Sequence, residues 1–168
     1  MEIATDRRYD GIVDEILYYS ERSDDGRWII PIEVDWDYTI TKCSSWKEGT
    51  MVINHDAFKV MKRWTADYNV GWILNSMRND ELMEEPLRTL EKESVKLYSL
   101  RKNPRQGLDD NEVNKCFAVM SIDDRNLGVP LKWLDGCNRP HVDWDKVDEI
   151  GSPILDYISK QLLKIKNV

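Results

Sequence analysis

The chain has 168 residues, 33% of them charged, with a formal net charge of −7. That length supports a single domain whose core needs no disulfide or metal staple. The acidic balance, with no Lys/Arg run interleaved with aromatics, excludes a phosphate-neutralising nucleic-acid surface, and no stretch approaches the roughly 18 to 20 apolar residues of a membrane span. A soluble, cytoplasmic protein with neither nucleic-acid nor membrane partners is therefore expected. Residues 1–27 read as an N-terminal helical extension: Ile12, Val13, Ile16, Leu17 and Tyr19 recur at helical spacing, and the polar run Ser20–Arg27 follows them. From Trp28 onward strand-like apolar runs alternate with helical patterns. This predicts one domain over 28–168, a three-layer, Rossmann-like α/β fold with a parallel sheet, right-handed crossovers and helices on both faces. Strand one is expected over about 28–35, and a helix over 56–68 buries Ala57, Phe58, Met61, Trp64 and Tyr68. Strand two covers about 70–75. Asn79 or Asp80 then caps a helix carrying Leu82, Met83, Leu87 and Leu90 inward, and Pro86 either kinks it or marks its true first turn. Strand three is expected over 95–99, a polar loop over 101–111, and strand four over 117–122 with Lys115 just ahead of it. A final helix over 145–164 places Val147, Ile150, Ile154, Leu155, Ile158 and Leu162 on one face, with Gly151 and Pro153 weakening its middle.

Polar clusters follow three of the apolar runs, at the carboxyl ends where open α/β sheets form ligand sites. Asp35 and Asp37 alternate with Trp36, so in a strand both carboxylates point the same way. With a third carboxylate from Asp123 or Asp124 they make an all-oxygen site suited to Mg²⁺. Ser76 supplies a hydroxyl and Lys115 a mobile point charge, both suited to the nonbridging oxygens of a phosphoryl group. Singly, each has a blander reading as an acidic turn, a turn serine or a surface lysine; their order along the chain makes the combination informative. Cys43, Cys116 and Cys137 are too widely spaced for a C-x-x-C pair and read as reduced thiols, and the two histidines lack zinc-ligand spacing. The seven tryptophans read mainly as core and lid residues, with Trp46, Trp133 and Trp144 looking exposed.

In this order the segments resemble the haloacid-dehalogenase superfamily of phosphohydrolases, specifically its small members with little or no cap. Asp35-Trp36-Asp37-Tyr38-Thr39 matches the first motif, D-x-D-x-[TV]. Ile73-Leu74-Asn75-Ser76 matches the second, Lys115 the third, and Asp123-Asp124 the acidic pair of the fourth, continuing as Ile122-Asp123-Asp124-Arg125-Asn126. The likeness spans about residues 28–130. Tyr38 stands where many members carry Gly, which puts a bulky phenol beside the site.

The resemblance implies a Mg²⁺-dependent phosphatase acting through an aspartyl-phosphate. Asp35 would be the nucleophile, and Asp37 would protonate the leaving oxygen and then activate water. Asp35, Asp37 through its main-chain carbonyl, and Asp123 or Asp124 would hold the metal; Ser76 and Lys115 would hold the phosphate. Thr39 would support the turn, and Arg78 and Asn126 would either touch substrate or serve the local structure. With so little cap the site should be open, its surroundings set by the flap segments 42–52 and 101–111. The substrate is then a phosphorylated small molecule or a phosphate protruding from something larger, or a second copy of the chain closes the site. Two other readings stay open: phosphotransfer to an acceptor other than water, and a catalytically silent metal-binding or protein-interaction module. A receiver domain has its acidic pair first and its lone Asp later, the reverse of the order here.

Overall fold

The computed structural model describes residues 9–45, 50–105 and 116–165. In chain order the elements are α1 (Asp10–Tyr19), β1 (Ile30–Val34), β2 (Thr41–Ser45), β3 (Thr50–Ile53), α2 (His55–Tyr68) and β4 (Val70–Leu74). Then come α3 (Asp80–Lys92), β5 (Leu97–Leu100), β6 (Met120–Ile122), β7 (Leu131–Lys132), β8 (His141–Val142) and α4 (Trp144–Lys164). The architecture is the expected one, a Rossmann-like three-layer α/β fold around a four-stranded parallel sheet in the order β5-β4-β1-β6. All of β4 and all but Glu33 of β1 are buried, as apolar strands are when both faces of a parallel sheet are covered.

The register places the site. β1 pairs with β4 from Ile30↔Val70 to Val34↔Leu74, and with β6 from Ile32↔Met120 to Val34↔Ile122. Val34, Leu74 and Ile122 are therefore level, and the residues just after each emerge at one edge. From β1 the chain steps outward through β4 to β5, then returns to β6 on the opposite side of β1. Such a reversal opens a crevice at the carboxyl ends of the strands beside it.

α2 buries Ala57, Phe58, Val60, Met61 and Trp64 and ends at Asn69, which takes the left-handed conformation (φ 58°) that Asn tolerates at a helix end. Trp64 stacks on Trp72 of β4 with ring centroids 6.0 Å apart, and Trp72 meets Trp144 edge-on at 6.3 Å. Trp144, which the sequence suggested was exposed, is fully buried; Trp133 is exposed, and Trp46 lies outside the described residues. Asn79 caps α3 by accepting the Leu82 N–H at 3.0 Å. Met83, Pro86 and Leu90 form the buried stripe of α3, while Leu82 and Leu87, expected inside, flank it and face solvent. Ile150 of α4 is likewise exposed, and Trp144 and Gly151 take up the inner face instead. Val95 belongs to the turn after α3, where its N–H bonds Leu90 O at 2.9 Å and Ser94 is left-handed, so β5 starts two residues later.

Two hairpins were not legible as strands. β2 and β3 pair antiparallel within the expected flap segment, and β7 and β8 pair through two residues each, too few to show a period. The N-terminal helix forms where its spacing predicted. Val13 and Ile16 join the main core, Tyr157 donates to Asp10 at 3.1 Å, and the Tyr19 ring lies 5.2 Å from Phe117.

Candidate functional site

β1 ends at Val34, so Asp35 and Asp37 lie on a turn rather than in a strand. The Asp35 N–H donates to Ile122 O at 3.0 Å, which carries the β1–β6 pairing one residue further and sets Asp35 beside the acidic pair. Trp36 packs fully into the core, and its carbonyl accepts the N–H groups of Thr39 (3.3 Å), Ile40 (2.9 Å) and Thr41 (3.1 Å). This winds 36–41 into a tight coil. Tyr38 completes it with a left-handed backbone, φ 58°, its N–H donating to Thr41 Oγ1 at 2.9 Å.

Carboxylate oxygens of Asp35, Asp123 and Asp124 all lie within 4.8 Å of one another. Side chains nearly ninety positions apart thus meet at one rim of the sheet. Burial, joined by the charges of Asp123, Asp37 and Asp124, pushes the Asp35 carboxyl up to about 7, against the Trp36 N–H bond that lowers it. Asp124 is raised too, first by burial and then by Asp123, with Arg139 opposing. Three hard oxygen donors that resist sharing their charge are a donor set of the kind that suits Mg²⁺. The donor set fits the metal expected from the sequence, through Asp35, Asp123 and Asp124.

The Asp37 side chain is engaged differently from the shared orientation expected of a strand. Arg78 grips it with a two-pronged fork, Nε to Oδ2 at 2.9 Å and Nη2 to Oδ1 at 2.7 Å. Arg78 is built in: its side chain is 9% exposed, Arg101 Nη2 donates to its carbonyl at 2.8 Å, and its Nη1 donates to Leu82 O at 3.3 Å. Pro86 explains the last contact, because a proline four residues on has no N–H to claim the Leu82 carbonyl.

Ser76 follows β4 at the same rim, Asn75 N–H donating to Val34 O at 3.0 Å, and its Oγ accepts the Arg78 N–H at 3.4 Å. Lys115 lies outside the described residues, as do 106–111 of the second flap segment. Thr39 ties the motif loops together: its Oγ1 accepts the Asp124 N–H at 3.1 Å and its carbonyl accepts the Trp144 indole N–H at 2.8 Å. Asn126 spends its amide on Ser121, 2.9 Å to the carbonyl and 3.3 Å to Oγ, closing the turn that carries the acidic pair.

One group at the site went unread in the sequence. Arg139, ahead of β8, pairs with Asp124 and lies 4.4 Å over the Tyr38 ring, whose hydroxyl donates to Asn138 at 2.9 Å. No spacing links Arg139 to the motifs; only the short β7–β8 hairpin brings it back.

No protein-family model matches the chain, and no curated protein sequence matches it. A solved structure is similar in fold, that of a conserved protein from Bacteroides thetaiotaomicron. It superposes with a TM-score of 0.57 over 75% of this chain and 92% of the other, at 22% identity. That likeness supports the architecture and carries no function.

Proposed function

We propose that this chain is a small Mg²⁺-dependent phosphohydrolase of the haloacid-dehalogenase type, working through an aspartyl-phosphate. The meeting of Asp35, Asp123 and Asp124 at the reversal point of the sheet carries the reading. The order of the motifs along the chain and the position of Ser76 at the same rim support it. A divalent cation bound there would let the carboxylates stay ionised together and would offset the charge of an incoming phosphate.

Asp35 attacks phosphorus in line, forming a carboxyl–phosphate bond as the bond to the leaving oxygen breaks. Asp37 gives that oxygen a proton and later takes one from the attacking water. The Arg78 fork takes one acceptor site on each Asp37 oxygen and holds the carboxyl in place for both transfers. Ser76 and Lys115 hold the equatorial oxygens. The substrate is a phosphomonoester of unspecified alcohol, and the protein is cytoplasmic.

The fork itself favours a second reading, a silent metal-binding module, since pairing with Arg78 favours the ionised Asp37 over the protonated acid that the first transfer needs. Hydrolysis of p-nitrophenyl phosphate with and without Mg²⁺ separates the two. The phosphatase reading expects metal-dependent turnover that Asp35→Asn lowers about 10⁴-fold or more. Turnover that is absent, or indifferent to Asp35→Asn, contradicts it.

A further inference from the structure

We propose that Arg139 is an internal counter-cation of the metal site: it competes with the divalent ion for the charge of Asp124 and so sets how tightly that ion is held. The inference rests on the metal-site reading above and concerns a residue outside the motifs that suggested it.

Two arginines pair with the acidic residues of the site. Arg78 comes from the β4–α3 loop onto Asp37, and Arg139 comes from the segment before β8 onto Asp124. The carboxylates of Asp35, Asp37, Asp123 and Asp124 outnumber the described guanidiniums that act on them, those of Arg78, Arg139 and Arg125. Arg139 is held at its post. Its guanidinium lies 4.4 Å over the Tyr38 ring, Asn138 beside it accepts the Tyr38 hydroxyl at 2.9 Å, and the Val142 N–H donates to Tyr38 O at 2.8 Å. The Asp124 side chain is only 4% exposed, while that of Arg139 is 34% exposed, so water screens the pair only in part.

A guanidinium and a divalent ion sharing one carboxylate sit roughly 5 Å apart, where at an effective dielectric of about 20 their repulsion far exceeds thermal energy. A residue that merely pinned the loop would behave oppositely: removing it would loosen Asp124 and weaken the metal.

Direct Mn²⁺ titration, read as loss of the free-ion electron paramagnetic resonance signal, distinguishes these without any turnover. Arg139→Gln should bind Mn²⁺ about tenfold more tightly than the wild type. Arg139→Lys, which keeps the charge but not the fork, should stay close to the wild type. Arg139→Met, which retains apolar packing over Tyr38, repeats the test if Arg139→Gln fails to fold in a circular-dichroism melt. Unchanged or weaker binding by the neutral variants overturns the proposal while leaving the metal site intact. Absence of Mn²⁺ binding by wild type and variants alike overturns the metal-site reading and this inference with it.

Discussion

In the proposed reaction Asp35 would face two opposed demands: a nucleophile must be ionised, yet burial and three neighbouring carboxylates favour its protonated form. Its carboxyl sits at about 7, well above the ordinary carboxylate range near 3.9. A folded-state value raised in this way means that the folded chain keeps a proton the unfolded chain releases. Stability from this group is complete below about pH 4 and is lost as pH rises through about 7. Thermal melts of metal-free protein at pH 5 and pH 8 should therefore show a loss of stability toward pH 8 that Asp35→Asn removes. Mg²⁺ should raise the melting temperature more at pH 8 than at pH 5, because the ion binds the ionised form. Identical pH profiles for wild type and variant would contradict the assignment. At this scale the sequence singled out four carboxylates but not how they divide. A strand would have aimed Asp35 and Asp37 together; the coil wound on the Trp36 carbonyl separates them, giving one to the acidic cluster and the other to Arg78. Such a turn leaves no periodic trace.

Among the elements, the packing of α2 on α4 decides how firmly the site is backed. Gly151 lies in the middle of α4, where its effect on helix propensity alone is unfavourable. Its missing side chain has a purpose, since a Cβ there would come within 2.4 Å of Trp64 Cη2 and 2.8 Å of Cζ2, a ring that is itself fully buried. Gly151→Ala should therefore destabilise by about 1–3 kcal/mol from overpacking, offset in part by roughly 1 kcal/mol of helix propensity. The check is a urea melt, and a variant more stable than wild type would refute the packing argument. Trp144, at the start of the same helix, shows what pattern-reading misses. It follows an Asp and precedes another, which suggested exposure, yet its indole N–H is the donor that fixes the Thr39 carbonyl behind the motif loop. The faces of α2 and α4 were mostly readable from spacing. On α3 the inner stripe shifted, because Pro86 is buried with Met83 and Leu90 and so moves Leu82 and Leu87 to its edges.

For the molecule as a whole, the strand order turns a scattered set of residues into a site. Parallel pairing of β1 with both β4 and β6, in registers that bring Val34, Leu74 and Ile122 level, delivers 35, 76 and 123–124 to one rim. Alternating strand and helix signals made this architecture legible, and the motif order implied which strand ends converge. The flap hairpin and the β7–β8 return that carries Arg139 were not legible, since short pairings specified by tertiary contact lack any repeat of their own. α1 also does more than a terminal extension suggests, with Ile16 fully buried in the main core. The rim is open, with Met77 92% and Leu127 106% exposed beside the motif loops. The most direct measurement of the central claim is a crystal structure with Mg²⁺ and beryllium fluoride. The expected result is trifluoroberyllate on an Asp35 oxygen, with Mg²⁺ held by Asp35 and the Asp123–Asp124 pair. Beryllium fluoride seated elsewhere, or a metal that bypasses Asp35, would contradict it.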